Sequence, residues 1–164
     1  MSNSPSVAVL LAAYNGMEWI EEQVSSILSQ KSISIEIFIS VDLSNDKTHE
    51  WCQGLAGKNA HVKVLPYGEK FGGAAKNFFR LIRDVDFSCF DYVALSDQDD
   101  IWDSSKLHHA IRTIEQDSLD GYSSDVIAFW SNGREKLVKK SFPQKKFDYF
   151  FEAAGPGCTY VLKQ

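Results

Sequence analysis

Hydrophobic and polar positions divide the chain into alternating runs of two different periods. Val7-Ala-Val-Leu-Leu-Ala-Ala13 is an unbroken apolar run, the pattern of a strand covered on both faces. From Met17 to Gln30 the period changes: Trp19, Ile20, Val24, Ile27 and Leu28 fall on one helical face, with Glu18, Glu21 and Glu22 near the positive helix start. Ile35–Val41 is β-branched and predicts a second strand. Ser44-Asn-Asp46 then offers caps for a helix through Trp51 and Leu55. A short strand is expected at His61–Leu65, stopped by Pro66. After the turn pair Gly72-Gly73, a helix over Ala74–Arg83 is expected to bury Phe78, Phe79, Leu81 and Ile82. Tyr92–Leu95 predicts a fourth strand, Ser104–Gln116 a helix, and Val126–Trp130 a further strand ended by the turn pair Asn132-Gly133.

Strands alternating with helices predict an α/β domain, a Rossmann-like and mainly parallel sheet flanked by helices and joined by right-handed crossovers. Ligands of such sheets bind beyond the carboxyl ends of the strands. Tyr14-Asn15, residues 42–46 and residues 97–100 all follow strands, so they are expected along one edge. No repeat, low-complexity tract or linker divides the 164 residues, which predicts a single domain over 1–164.

A net charge of −5 offers no basic face for nucleic acid. A phosphate-bearing partner must therefore be held by a few placed groups or by a metal. The lysine-rich run Arg134–Lys146 is short and reads as a solvated loop. No apolar run reaches the length of a membrane span, and the start of the chain lacks the basic segment of a secretory leader. Cys52, Cys89 and Cys158 form no CxxC pair and are expected as reduced thiols in the core of a cytoplasmic protein.

The chemistry concentrates in Ser96-Asp-Gln-Asp-Asp-Ile-Trp102. Asp97 and Asp99 alternate around Gln98, so in an extended segment both carboxylates face one point. Such a pair suits Mg²⁺ or Mn²⁺, which commonly bridge carboxylates to substrate phosphates and neutralise charge on a departing phosphate oxygen. The competing reading is a solvated acidic loop. Placement directly after a buried strand leaves the two readings about evenly matched. Asp103 is expected as a helix cap, with Trp102 and Leu107 as packing residues.

These segments together resemble the nucleotide-binding half of a family-two glycosyltransferase with the GT-A fold. AAYNG resembles the opening strand end, EEQVSSILSQ the first helix, and FISVDLSNDKT the DDGSxDxT segment of that family. GGAAKNFFRLI is similar to its third helix, SDQDDIWDSSKL to its DxD region, and GPGCTYVL to the start of the acceptor-side segment. The form is that of bacterial rhamnosyltransferase-like enzymes of surface polysaccharide synthesis. The resemblance implies inverting transfer of a sugar from a UDP- or dTDP-sugar to a hydroxyl of a glycan or lipid-linked saccharide. The setting it implies is the cytoplasm, at the inner face of the membrane in the case of peripheral association. Asp99 would hold the divalent metal with Asp97 in support, and Asp100 is a further candidate. Ala12, Ala13, Tyr14 and Asn15 would line the nucleotide site, Tyr14 stacking on the base, together with Asp42, Lys76 and Gln98. For Tyr14 a wet strand-end tyrosine, and for Lys76 a solvated helix lysine, remain open.

Two departures from the pattern stand out. Val41 and Leu43 replace an acid and a glycine beside Asp42. The acidic catalytic base of the family follows the acceptor-side segment, and Asp148 and Glu152 precede that segment and do not match it. The base is therefore expected beyond Gln164, in a longer enzyme whose acceptor region also follows. A non-catalytic sugar-nucleotide-binding module is the alternative. A receiver-type signalling domain is disfavoured, because the third strand ends on Pro66-Tyr67-Gly68 with no acid.

Overall fold

The computed structural model describes residues 4–140, 142, 145–147 and 155–164. Its strands are β1 (Ser6–Ala13), β2 (Ser34–Val41), β3 (Val62–Val64), β4 (Tyr92–Ser96), β5 (Gly121–Tyr122), β6 (Val126–Phe129), β7 (Glu135–Val138) and β8 (Val161–Lys163). Six of them form the main sheet in the spatial order β3-β2-β1-β4-β8-β5. The pairs β1–β2, β1–β4 and β2–β3 are parallel, while β8 runs antiparallel to both β4 and β5. The helices along the chain are α1 (Ile20–Leu28), α2 (Thr48–Ala56), α3 (Ala74–Asp84) and α4 (Lys106–Asp117).

Central position explains the apolar run of β1, whose alternate residues feed two cores. Val7, Val9, Leu11 and Ala13 pack with Ile20, Val24 and Ile27 of α1, Cys52 of α2, and Leu107, Ala110 and Ile114 of α4. Ala8, Leu10 and Ala12 point the other way and pack with Phe38, Leu81 and Val85 beneath α3. Period-two alternation on a strand covered on both sides requires both sets to be apolar.

Three expectations change on folding. The first helix begins at Ile20 rather than Met17, because residues 16–19 form a turn in which the N–H groups of Trp19 and Ile20 both donate to Gly16 O. The strand expected at Val126–Trp130 does not join the main sheet. As β6 it pairs antiparallel with β7 in a separate hairpin, turning at Gly133 with a φ of 78°. Part of the lysine-rich run therefore lies in β7.

The third difference concerns α3. Phe79 is 69% exposed and Ile82 47% exposed, whereas Asn77 and Arg80 are buried with Leu81. This helix is fastened to the sheet by hydrogen bonds. Asn77 Oδ1 accepts from the Ser40 hydroxyl, and its Nδ2 donates to Ser40 O at 2.9 Å and Ala13 O at 3.3 Å. Arg80 donates to Ser40 Oγ at 3.1 Å and to Pro66 O, and its guanidinium lies over the Phe71 ring.

Removing the Asn77 amide leaves buried carbonyls and a hydroxyl without their partner. Asn77→Leu is expected to lower stability by about 1–3 kcal/mol in urea unfolding. Phe79→Ala, at an exposed site, is expected to stay within about 0.5 kcal/mol of the parent chain. The reverse ranking would mean that α3 is held by its aromatic face.

Candidate functional site

The ends of β1, β2 and β4 and the start of α3 surround a cleft of about 430 Å³. Their shared edge is what parallel pairing demands: strands in register on one sheet deliver their following loops to the same side. Ala12, Ala13, Tyr14, Asp42, Asp97, Gln98 and Asp99 all line this space, as the sequence leads one to expect. Tyr14 is half exposed, so its ring is available to a flat ligand.

Asn15 and Gln98 take structural parts in the same region. Asn15 adopts a φ of 46° and locks two loops together. Its N–H donates to Ser44 Oγ at 3.0 Å, and its Oδ1 accepts from Asn45 N–H at 2.9 Å. Gln98 forms a two-point clamp on Tyr14: Oε1 accepts from Tyr14 N–H at 2.7 Å and Nε2 donates to Tyr14 O at 2.9 Å. That amide lies directly against Gly16, where an added Cβ would come within 2.3 Å of it. Asp46 similarly accepts from Thr48 N–H at 2.9 Å and Met17 N–H at 3.1 Å, tying the start of α2 to the loop after β1.

Asp42 is buried and accepts three backbone hydrogen bonds, from Leu43, Phe71 and Gly72, at 2.7, 2.7 and 2.8 Å. Burial alone would raise its pKa, but the N–H donors of Phe71, Gly72 and Leu43 favour the anion and the net shift is downward. The carboxylate therefore bends the segment before α3 over the cleft. Gly72 makes that bend at a φ of 74°, with open space where a side chain would sit, so backbone conformation is what calls for glycine. Gly73, which precedes α3 as its N-cap, and Ala74, its first residue, line the cleft and offer the positive end of the helix to it. Lys76 is exposed and lies outside the cleft wall, where Lys70 stands instead.

The acidic loop after β4 is pinned from behind by one face of α1. Gln23 Nε2 donates to Ser96 Oγ at 2.6 Å, Ser26 Oγ accepts from Trp102 N–H at 3.0 Å, and Gln30 joins Asp103 O at 2.6 Å and Leu107 N–H at 2.9 Å. Gln23 and Ser26 are spaced i, i+3 on α1 and share a stripe with the apolar residues that pack it, while Gln30 follows just beyond the helix end. Asp103 accepts from Ser105 N–H at 2.8 Å just before α4, and Trp102 and Leu107 are buried, as expected of a capping residue and two packing residues.

Within the pinned loop, Asp99 projects into the open cleft while Asp97 and Asp100 approach the three-residue 3-10 turn Gly157–Thr159. Cys158 on that turn has its Sγ within 4.8 Å of a carboxylate oxygen of each. Burial, then the Asp100 and Asp99 charges, push Asp97 up to about 6. Burial, then the charge and hydrogen bonding of Asp100, push the Cys158 thiol up to about 12. Asp100 Oδ2 is buried with no hydrogen-bond partner among the described residues. The donor set and the unsatisfied oxygen fit a cation. Lys106 Nζ supplies a nearby positive charge, donating to Cys158 O at 2.9 Å and lying over the Trp102 ring. Burial draws that ammonium down to about 7 against the attraction of Cys158 and Asp100.

Sequence reasoning did not pick out Asn77, Arg80, Lys70 or Lys106, nor Cys158 as a polar neighbour of the acids. Of the three cysteines only Cys52 is a core residue; Cys89 is exposed, and Cys158 is half-buried at the acidic loop. Polar residues spaced i, i+3 at 77 and 80 were the available signal for a hydrogen-bonded helix face. Asp148 and Glu152 lie outside the described residues. Gln164 follows β8 and donates its N–H to Asp91 O at 3.0 Å. Asp91 precedes β4, so Gln164 sits at the opposite edge of the sheet from the cleft. Its own side chain is an amide and supplies no base.

Comparison with known proteins accords with this geometry. The sequence model of a family described as Glycosyl transferase family 2 matches residues 8–157. The dTDP-rhamnosyl transferase RfbG of Shigella flexneri is 52% identical over 155 residues, which cover 94% of this chain and 54% of that protein. S. aureus TarS in complex with UDP-GlcNAc superimposes with a TM-score of 0.68 at 19% identity, over 96% of this chain and 45% of that one. The mannosyltransferase PcManGT from Pyrobaculum calidifontis, in complex with GDP-Man and Mn²⁺, gives a TM-score of 0.65 at 17% identity, over 96% and 44%. These likenesses show the fold, the GT-A arrangement expected from the sequence. The chain spans about half the length of RfbG and of these structural neighbours.

The elevated Asp97 pKa makes a signed prediction about stability. The unfolded carboxyl loses its proton near 3.8, whereas the folded one keeps it to about 6, so folding stability falls as pH rises between those values and stays lowered above them. Two pKa units correspond to roughly 2–3 kcal/mol, an upper bound because partial exposure screens the neighbouring charges. In metal-free buffer Asp97→Asn should therefore be more stable than the parent at pH 7 by up to that amount. Below about pH 4 the two should converge. Coincident urea midpoints at pH 7 would show that Asp97 is not strained by its neighbours.

Proposed function

The chain belongs to glycosyl transferase family 2, and we propose that it forms the donor-binding part of an enzyme transferring a sugar from a nucleoside diphosphate to an acceptor hydroxyl. The observation that carries this reading is the cleft itself. Acidic residues after β4 and the positive start of α3 border one space at the carboxyl ends of parallel strands. A pyrophosphate suits such a space, held by backbone N–H groups on one side and by a cation on the other.

In this arrangement Asp97 and Asp99 hold a divalent ion, Mn²⁺ or Mg²⁺, toward the phosphates. When bound, the ion stabilises negative charge on the departing diphosphate. Tyr14 lies against the nucleobase, while Asp42 acts indirectly by holding the segment 71–72 in place. Lys70 adds a cation to the wall, the part sequence spacing had suggested for Lys76. The high identity to a dTDP-rhamnosyl transferase favours a dTDP-sugar over a UDP-sugar as donor, and a bacterial polysaccharide or lipopolysaccharide as the product. Inversion at the anomeric carbon belongs to this reading.

The donor is made inside the cell, so the reading places the enzyme in the cytoplasm, facing a glycan or lipid-linked acceptor. Among the described residues no helix is long and apolar enough to cross a membrane.

Titration calorimetry with dTDP-rhamnose and a UDP-sugar, with and without Mn²⁺, tests the proposal. Mn²⁺ is expected to tighten dTDP-rhamnose binding at least ~10-fold, the scale of a lost metal interaction, and Asp97→Asn and Asp99→Asn should each remove most of that gain. An affinity indifferent to Mn²⁺ would refute the bridging cation.

A further inference from the structure

The thiol of Cys158 stands where no packing argument requires it. It is only half-buried, it lies beside two carboxylates, and its surroundings raise the cost of a bare thiolate. The two carboxylates beside it repel one another unless a positive charge lies among them.

We propose that Cys158 and Asp100 join Asp97 as direct ligands of the donor-site cation, making a mixed carboxylate–thiolate shell. This rests on the reading that a divalent ion serves the donor, and it changes which residues hold that ion. Two observations carry it independently. One is convergence: single donor atoms from Asp97, Asp100 and Cys158 lie within 4.8 Å of one another, although the cysteine is far away in sequence. The other is Asp100 Oδ2, buried and without a hydrogen-bond partner among the described residues. A cation at the centre of the three would give that carboxylate a partner.

The approach of Cys158 is built into the backbone. Its carbonyl accepts from Lys106 Nζ, and Tyr160 N–H donates to Gly157 O at 3.2 Å to close the turn. Gly157 has no side chain between the turn and the acids, and an added Cβ there would lie 4.0 Å from Asp97 Oδ2. Asp99, exposed on the cleft side, and the donor phosphates would fill the remaining positions. On coordination the Sγ–H bond breaks, its proton passes to water and an Sγ–metal bond forms, with no change of oxidation state. A thiolate ligand biases the site toward Zn²⁺ or Cd²⁺ relative to the harder Mg²⁺ and Mn²⁺.

Cadmium provides the test, because thiolate coordination gives an ultraviolet charge-transfer band that carboxylates do not. The full chain carrying Cys89→Ser, which removes the exposed competing thiol, is titrated with Cd²⁺. The band is expected to appear and to be lost in the Cys158→Ser form. Asp100→Asn should weaken Cd²⁺ affinity by at least ~10-fold. Cadmium NMR of the Cys89→Ser chain reports sulfur in the shell with Cys158 intact, so a poorly folded Cys158→Ser variant does not shield the idea. A band that survives Cys158→Ser or a shell of oxygen alone would overturn it. If Mn²⁺ still tightens dTDP-rhamnose binding in those cases, only the thiolate ligand falls and the donor-site reading stands. If Mn²⁺ has no effect on the nucleotide either, both fall together.

Discussion

Three carboxylates within four residues repel one another, and this chain holds them at the end of a strand covered on both faces. The restraint comes from α1 and the turn that ends it, where Gln23, Ser26 and Gln30 reach across to Ser96, Trp102, Asp103 and Leu107. Each bond contributes only modestly on its own. Together they hold the chain on both sides of the acids, so that Asp97 and Asp100 stay half-buried while Asp99 faces the open cleft. The raised Asp97 pKa and the unsatisfied Asp100 oxygen are the local cost of that restraint, and a cation bound there would offset it. A site strained when empty and relieved when filled would be preorganised for its ion.

The same strategy runs along the whole rim. Gln98 joins the acidic loop to Tyr14, Asn15 joins the loop after β1 to Asn45, Asp46 joins the start of α2 to Met17, and Asp42 holds the segment before α3. Each of these loops bordering the cleft is thereby bonded to a neighbour. Polar residues in loops are usually read as solvent-facing, but here they form the frame. For this reason some residues that spacing nominates for ligand binding, Asn15 and Gln98 above all, direct their hydrogen bonds to other loops. Tyr14, Asp97 and Asp99 are the ones left facing the space.

Periodicity made the parallel sheet legible, because β1, β2 and β4 are apolar enough to admit no other reading. It misplaced the inner face of α3, since hydrophobicity ranks Phe79 and Ile82 above Asn77 and Arg80. The helix instead docks through an amide and a guanidinium that satisfy strand-end carbonyls and the Ser40 hydroxyl. An apolar count is blind to that exchange. The hairpin of β6 and β7 was invisible for a different reason. A four-residue apolar strand carries no information about which sheet it joins, and pairing with β7 is decided by the turn at Asn132-Gly133.

The least legible feature was the meeting of Cys158 with the acids, and topology explains it. A parallel strand following β4 would begin at the far edge of the sheet, taking any residue before it away from the cleft. β8 runs the other way, with Val161 opposite Ala94 and Lys163 opposite Tyr92, so that it is Gln164 that reaches the far edge. The start of β8 therefore lies beside the end of β4, and the turn 157–159 arrives next to the acidic loop. Leu95 N–H donates to Tyr160 O at 3.1 Å and fixes that register. One antiparallel strand in an otherwise parallel neighbourhood is enough to bring a thiol from the segment before β8 to acids far earlier in the sequence. A cation shell shared between them, as proposed above, would span both parts of the chain, so filling it would couple the order of the GPGC turn to occupancy of the cleft.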